Sequence, residues 1–309
     1  MQTPSIIGAS ALHSWTSVQW NPQQGIYFYF RTKYTNNINN MAIAPPPGIE
    51  VRTAQANDIE SIVDLLVSAP DDATLYQYPD LARYPDALRT TYRAWVQELL
   101  RDPTSLTRIA VLGEDVVVGF SSWVRRAPKP DDPSGPLQRV RISDPPALLL
   151  PDAEENQHGS SSSSSSSGGA LPSIEPHKTR AEAVARVRER LSRTSPVKSI
   201  ARWSLEGLAV HASHQNRGIG TMLVRWGLER GAAEGVPVVT AGESRGVRFY
   251  TGHSLGFQVV EGTDWWLDQD GRDVFKHEVD ERESIPGWVS GAQVMWLPPG
   301  HSSKMRGIV

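Results

Sequence analysis

Hydrophobic and polar positions between residues 49 and 126 alternate between the spacing of strands and the spacing of helices. Residues 49–52 (Ile-Glu-Val-Arg) alternate as a short strand does. Apolar residues then recur at helical spacing after Asn57 or Asp58, either of which can cap a helix, and again over residues 85–100. Two strand-like segments, 108–112 and 116–124, are separated by Gly-Glu-Asp, which predicts a hairpin. This part of the chain is therefore predicted as a strand, two helices and two strands.

Similar patterns continue beyond residue 176. Residues 177–193 have a helical pattern in which arginines surround an apolar side, and a solvated face is favoured over a nucleic-acid or lipid surface. Strands are predicted at 201–210, 236–241, 256–260 and 293–297, with helices at 221–233 and 244–253. Strands that alternate with helices are typical of an α/β domain.

The composition shifts along the chain and predicts its organisation. Residues 1–48 are predicted to be a poorly ordered extension, although residues 25–30 have strong strand propensity; a chain that starts at Met41 is the alternative. Residues 127–176 hold many prolines and an unbroken serine run at 160–167, which predicts a disordered insertion in one domain over 49–297. A phosphorylated regulatory loop is the alternative for this insertion. Residues 298–309 are predicted as a tail.

The overall composition limits the classes of partner and chemistry. The 309 residues carry a net charge of −3 and no cysteine. This charge gives no electrostatic case for nucleic-acid binding, and the missing cysteine excludes disulfides, thiolate metal sites and a cysteine nucleophile. No apolar run approaches the roughly 18–20 residues that span a bilayer. We therefore expect no nucleic-acid or membrane partner and a cytoplasmic location, with the nucleus as the alternative and mitochondrial import less favoured. The oligomeric state is left open.

The segment Gln215-Asn216-Arg217-Gly218-Ile219-Gly220 connects a predicted strand to a predicted helix. Unpaired backbone N–H groups and the positive end of the helix dipole converge at such a turn, so that it attracts an anion. Arg217 adds a positive charge, and the two glycines permit close approach because they have no Cβ. The turn therefore predicts a phosphate or pyrophosphate site.

This hexapeptide fits the pattern Gln/Arg-x-x-Gly-x-Gly/Ala. That pattern is the signature of the GNAT superfamily of acyl-CoA-dependent N-acyltransferases, which the chain therefore resembles. Residues 205–210 resemble the fourth strand of the family, and residues 249–257 resemble its late helix and the Tyr…Gly-Phe segment. The order of elements also matches. The resemblance covers residues 49–125 and 178–297. It implies a single α/β domain with a mixed central sheet, splayed between strands 4 and 5, and helices on both faces.

The resemblance further implies that the chain uses acetyl-CoA as cosubstrate, and no metal. Backbone groups of the splayed fourth strand would bond the pantetheine arm, amides of the turn would hold the pyrophosphate, and the N–H of Val210 would stabilise the oxyanion. The candidate cofactor-binding residues lie on the strand and in the turn: Leu208, Ala209, Val210, Gln215, Asn216, Arg217, Gly218, Ile219, Gly220 and Thr221.

Transfer to an amine requires a neutral amine and a proton for the departing thiolate. Glu206 is the candidate base because it resembles the acidic residue of small-amine members; a surface carboxylate is the plainer interpretation, and His211 and His214 are rivals. Tyr250 is the candidate acid, with a core aromatic as the alternative. The chain departs from the family in three ways, of which Ala212 in place of a common proline in the turn should matter least. Tyr250 stands six residues before the glycine of Gly-Phe instead of four, and Glu243 stands where an asparagine or serine often contacts the cofactor.

The acceptor is expected to be a small-molecule primary amine, because the chain lacks a strongly charged docking surface, with a protein amine as second choice. Asp264 with Trp265 and Trp266, and the pair Asp71 and Asp72, are candidates to face it. A non-catalytic CoA-binding module is the alternative from another class, and transfer of longer acyl groups is a third possibility.

Overall fold

The computed structural model describes residues 20–21, 26–27, 46–80, 85–132, 136–142, 177–252, 254–274 and 288–300. The chain divides into two units, Met1–Asn40 and Met41–Val309. In the first unit, β1 (Trp20–Asn21) and β2 (Ile26–Tyr27) form an antiparallel ladder, and β2 lies in the stretch with strong strand propensity. Most of the predicted extension and of the predicted tail lies outside the described residues, so both stay predictions.

The second unit alternates strands and helices. Its helices are α1 (Ile59–Ser68), α2 (Asp72–Gln77), α3 (Pro85–Arg101), α4 (Lys178–Thr194), α5 (Ile219–Glu234) and α6 (Ser244–Thr251). Its strands are β3 (Ile49–Thr53), β4 (Ser105–Leu112), β5 (Val116–Ala127), β6 (Gln138–Val140), β7 (Arg202–Val210), β8 (Val238–Glu243), β9 (Gln258–Val259), β10 (Trp265–Leu267) and β11 (Val289–Trp296). Short 3-10 turns precede α1 and follow β7.

One mixed sheet organises this unit, in the order β10-β11-β8-β7-β5-β4-β3, with β6 beside β5 and β9 beside β11. The pair β7 and β8 is parallel and the other pairs in the described sheet are antiparallel. The parallel pairing is limited to residues 203–205 with 238–240. The predicted fold class is therefore confirmed: the sheet opens between the fourth and fifth long strands, β7 and β8.

Helices cover both faces of the sheet. On one face, α1 and α3 pack around Ile62, Val96 and Phe120. On the other face, α5 and α6 pack on a cluster that includes Trp123 and Tyr250. Gly227 allows α5 to lie close to the sheet, because a Cβ at that position would be 2.1 Å from the Trp123 ring. Apolar burial on both faces is the main force that holds such a layered fold together.

Helix α2 and the short strands β6 and β10 of the second unit were not predicted from the sequence. Helix α2 was not predicted, because six residues are too few for a helical period to be recognised. Strand β6 pairs with residues 125–127 of β5. The prediction of a disordered insertion over 127–176 is therefore wrong for 138–140, where backbone pairing with β5 orders the chain. Residues 143–176 lie outside the described residues.

Helix α4 packs across the far end of the sheet, as Val184, Val187 and Leu191 contact Tyr76 of α2 and Trp265 of β10. Three of its arginines donate hydrogen bonds to residues 269–273. The arginine-rich side of α4 is thus partly occupied by contacts within the domain. Among the described helices, none is both long and apolar enough to cross a membrane.

Candidate functional site

The candidate site is the gap between β7 and β8. Leu205 and Thr240 form the last pair between the two strands. Beyond this pair, β7 continues to Val210 and β8 continues to Glu243 without pairing with each other. Each strand therefore has an edge that faces the gap, and the gap is closed at the end where Leu205 and Thr240 pair.

The ladder on the other side of β7 decides which backbone groups reach this gap. In an antiparallel pair, alternate residues turn their N–H and C=O to the partner and the others turn outward. His211 donates its N–H to the C=O of Val118 on the β5 side at 3.0 Å. By alternation, Ala209 bonds to β5, whereas Leu208 and Val210 direct both backbone groups into the gap. The prediction that Ala209 offers free backbone groups is therefore corrected.

A bulge in β7 sets this alternation. A register shift in the pairing of β5 with β7 leaves Glu206 as the unpaired extra residue. Ahead of it, Trp203 donates its N–H to the C=O of Pro237, toward β8, at 3.0 Å. An uninterrupted strand would then turn odd-numbered residues toward the gap. The extra residue is what turns the even-numbered Leu208 and Val210 there instead.

The turn into α5 carries the features that an anion site needs. The side-chain amide of Gln215 donates to the C=O of Val210 at 3.0 Å, so the N–H of Val210 is the group left facing the gap. Asn216 and Gly218 have φ angles of 60° and 82°, a left-handed conformation that these residue types adopt most easily. Gly218 is the N-cap of α5, and no side chain caps this end. The first N–H groups of α5 are therefore available to a phosphate.

The residues that follow hold this helix end beside β7. A Cβ on Gly220 would lie 3.2 Å from the Phe249 ring and 3.6 Å from the Val210 side chain. Ile219 and Thr221 bury their side chains, so only their backbone groups can contact a cofactor. Arg217 is exposed at the same turn and supplies positive charge. The turn as built fits a pyrophosphate.

The two histidines considered as alternative bases lie in the turn beyond β7. The hydroxyl of Ser213 is 2.9 Å from Nδ1 of His211 and 2.9 Å from Nδ1 of His214. Partial burial, and then the charges of Arg217 and His211, lower the pKa of His214 below its ordinary value. Both rings thus contact Ser213 in the turn beyond β7.

Tyr250 lies at the closed end of the gap. Its ring packs in the core, 5.5 Å from that of Phe257 between centroids. Its hydroxyl hydrogen-bonds to the side chain of Thr240, which in turn donates to the C=O of Leu205 at 3.0 Å. Burial raises the pKa of the Tyr250 hydroxyl above its ordinary value, so the group keeps its proton at neutral pH. The Tyr250 ring is thus part of the core, and its hydroxyl lies beside Thr240, which belongs to the last pair between the two strands.

Glu206 lies at the surface in the bulge. One of its carboxylate oxygens is 3.1 Å from the guanidinium of Arg126. The neighbouring Arg125 reaches Glu234 of α5, so strand alternation places Arg126 on the opposite face of the sheet. The Glu206 carboxylate is therefore on the face that carries α1 and α3, away from Tyr250.

Glu243, which departs from the family pattern, is a second carboxylate at the gap. Side chains of β8 alternate between faces. A Cβ on Gly242 would lie 3.3 Å from the Tyr250 ring, which places Glu243 on the opposite face. Burial raises the pKa of the Glu243 carboxyl to about 7; Asp71 and Asp72 contribute, whereas Arg188 opposes the shift.

The acidic pair noted in the sequence is thus brought next to Glu243. Asp71 caps α2 by accepting the N–H of Thr74, and Asp72 is ion-paired with Arg245 of α6. Trp265, which was a candidate to face the acceptor, is instead buried in the core beneath α4. Over the described ranges, no group of three or more His, Asp or Glu residues is arranged to hold a metal ion.

One family model matches the segment that contains the candidate site. Residues 186–257, which contain the glycine turn and most of both edges of the gap, match the model of the Acetyltransferase (GNAT) family. The resemblance to this family inferred from the sequence is confirmed over these residues. No curated protein matches the chain.

Several solved structures are similar to the chain. A Corynebacterium glutamicum structure, described as histone acetyltransferase HPA2 and related acetyltransferase, is 19% identical over 83% of this chain and 99% of its own, with a TM-score of 0.42. A mosquito arylalkylamine N-acetyltransferase like 5b is 13% identical over 81% of this chain and 99% of its own, with a TM-score of 0.42. PaiA N-acetyltransferase from Thermoplasma acidophilum, in complex with coenzyme A, is 12% identical over 81% of this chain and 98% of its own, with a TM-score of 0.38.

Proposed function

We propose that this chain transfers the acetyl group of acetyl-CoA directly to a primary amine of a small molecule. The observation that carries the proposal is the gap between β7 and β8, which runs from the Tyr250 hydroxyl to the uncapped end of α5. A protein amine is the second candidate acceptor. A proton donor at one end of the gap and carboxylates on the opposite face of the sheet favour catalysis over a module that only binds CoA.

The residues present fit the cosubstrate. Leu208 and Val210 offer outward backbone groups to which an extended amide chain such as pantetheine can bond as another strand would. The N–H groups at the start of α5, together with Arg217, would hold the pyrophosphate. Gly218 and Gly220 keep this surface free of side chains. Each of these contacts is made by backbone or by one exposed arginine, and the family signature specifies the same positions.

The chemistry divides between the two faces of the sheet. When bound, the thioester supplies an activated acyl carbon whose C–S bond breaks as the C–N bond forms. Tyr250, protonated and placed at the closed end, gives its proton to the sulfur. The N–H groups of Val210 and Leu208 face the gap and stabilise negative charge on the acyl oxygen. Glu206, on the opposite face, is the proposed base for the amine, directly or through water.

Cofactor binding is tested by isothermal titration with CoA. Arg217→Glu replaces the exposed cation at the turn and should weaken CoA binding by roughly 10–100-fold, given about 1.5–3 kcal/mol for a charge-assisted hydrogen bond. Arg225→Glu makes the same charge change farther along α5 and is the matched control. Equal losses in the two variants, or none in Arg217→Glu, would contradict the assignment of the turn.

Catalysis is tested with a panel of amines by following the release of free CoA from acetyl-CoA. The proposed function requires release that depends on the amine and yields its N-acetyl product. Binding of CoA without turnover of any amine or peptide would identify a binding module. Faster turnover with a longer acyl-CoA than with acetyl-CoA would replace the acetyl assignment.

A further inference from the structure

We propose that Glu243 binds the ammonium group of the acceptor and takes its first proton, while Trp95 and Tyr92 hold an aromatic or bulky apolar body. The acceptors preferred by this site are then primary amines that are cationic at neutral pH and carry an aromatic group. This inference rests on the proposed function. It adds a residue for the reaction and a substrate class.

Glu243 and Tyr250 stand on opposite sides of the same strand edge. Gly242, between them in space, separates the Tyr250 ring from the other face of β8. The charge of Glu243 is close enough to act on the Tyr250 hydroxyl, since it raises the pKa of that group further. A carboxylate on one face and a proton donor on the other are the arrangement that transfer through the gap requires. Glu243 can therefore handle the amine while Tyr250 handles the sulfur.

An aromatic wall joins β7 to this carboxylate on the acceptor face. A Cβ on Gly207 would lie 3.1 Å from the Trp95 ring, so Trp95 covers β7 directly after the bulge. The Trp95 ring contacts that of Tyr92, with centroids 6.4 Å apart. The Tyr92 hydroxyl hydrogen-bonds to Thr74 and lies near Asp71. Asp71 also contributes to the raised pKa of the Glu243 carboxyl, so the charge of Asp71 acts on both Tyr92 and Glu243.

The two aromatic side chains are only half-buried, unlike the apolar residues beneath them in the α1–α3 core. Half-buried aromatic faces beside carboxylates suit an amine with a flat apolar body, because the ring contributes dispersion and the ammonium group interacts with both carboxylate and ring. A purely polar amine would leave this wall in contact with water. The composition of the wall therefore selects for an aromatic acceptor.

The charges around Glu243 set the pH at which it works. Asp71 and Asp72 face it from α2 and Arg188 faces it from α4, while Arg245 of α6 is paired with Asp72. Glu243 accepts a proton only when ionised, and its pKa is about 7. Turnover of a cationic amine should therefore rise as pH rises through about 7.

The proton balance uses three residues. The ammonium gives one proton to the Glu243 carboxylate, which leaves a lone pair on nitrogen for the new C–N bond. Tyr250 protonates the sulfur as the C–S bond breaks. The remaining excess proton on nitrogen passes to Glu206 and from there, through water, restores the Tyr250 hydroxyl. Glu243 then releases its proton to solvent, so the net products are the acetylated amine, free CoA and one proton.

The test compares 2-phenylethylamine, propylamine and aniline with the full chain and acetyl-CoA. Wild type should use 2-phenylethylamine at least 10-fold better than propylamine in kcat/KM. Glu243→Gln should lower kcat/KM for 2-phenylethylamine roughly 100-fold or more, the usual size of a general-base contribution, and remove the rise near pH 7. Aniline is neutral at this pH, so its turnover should fall less than about threefold, since the step through Glu243 is not needed. Trp95→Leu should reduce the preference for 2-phenylethylamine over propylamine.

Controls separate this role from a structural one. Glu243→Gln should bind CoA as wild type does, and Glu261→Gln, which changes an exposed carboxylate elsewhere, should leave all three rates unchanged. Equal losses with aniline and 2-phenylethylamine, or a rate within threefold of wild type, would overturn the role of Glu243. A wild-type preference for propylamine would overturn the substrate class. If wild type acetylates none of a wider amine panel, the proposed function itself fails.

Discussion

Replacing Glu243 with glutamine should change how the stability of the domain depends on pH. The pKa of this carboxyl rises from an ordinary value of 4.5 to about 7 in the folded chain, mainly because it is buried. At 1.36 kcal/mol for each pH unit, this difference corresponds to about 3 kcal/mol. Glutamine keeps the size of the side chain and does not titrate, so it isolates this contribution.

The sign follows from which state binds the proton. Below pH 4.5 the carboxyl is protonated in both states and contributes nothing. Between pH 4.5 and about 7 the unfolded chain has lost the proton and the folded chain retains it, so the free energy of unfolding falls as pH rises. Above about pH 7 the wild type carries the full penalty. The advantage of Glu243→Gln should therefore grow by about 3 kcal/mol between pH 4.5 and 8.

The measurement is urea unfolding followed by tryptophan fluorescence at several pH values, since Trp123 and Trp296 are buried and report loss of the core. Glu261→Gln serves as the control, because it makes the same substitution at an exposed position. If the difference between Glu243→Gln and wild type is flat over this range, or shrinks as pH rises, the carboxyl is not held in a buried acidic environment. Glu243 would then not account for a rise of turnover near pH 7.

Three further predictions follow from contacts in the domain. Gly227→Ala should destabilise the domain by about 1–3 kcal/mol in urea unfolding, because its Cβ would overlap Trp123. The control is Gly246→Ala in α6, where a Cβ meets only ordinary contacts, and this change should be neutral or stabilising by less than about 1 kcal/mol. Tyr250→Phe should lower kcat about 100-fold or more and change CoA affinity less than threefold, since only the hydroxyl is removed; wild-type turnover would exclude Tyr250 as the acid. Glu206→Gln should lower kcat for amines by roughly 100-fold. The free energy of unfolding should change by less than about 1 kcal/mol, because the ion pair of Glu206 with Arg126 is solvent-exposed. An unchanged kcat would leave Glu206 as a surface carboxylate.

Local patterns predicted most of the fold. The helices around Val63, Leu99 and Val184 bury one apolar side each, and the hairpin of β4 and β5 follows its turn residues. Three segments of the second unit were missed, namely α2, β6 and β10. Helix α2 is too short to show a period, and the two three-residue strands are ordered by pairing with β5 and β11. Such tertiary contacts leave no periodic signal in the sequence.

The two sides of the site differ in the same way. The donor side was readable because the glycine turn, the preceding strand and the following helix are contiguous, and their backbone geometry follows from local residue types. The acceptor side was not, because Glu243, Asp71 and Trp95 are far apart in sequence and meet only where strands and helices cross. The bulge at Glu206 is also a matter of register between strands, which no single strand specifies. The sequence by itself predicted the anion-binding turn and the resemblance to the acetyltransferase family, because both depend on contiguous residues. Only the tertiary structure decided which backbone groups face the gap and which side chains surround the amine.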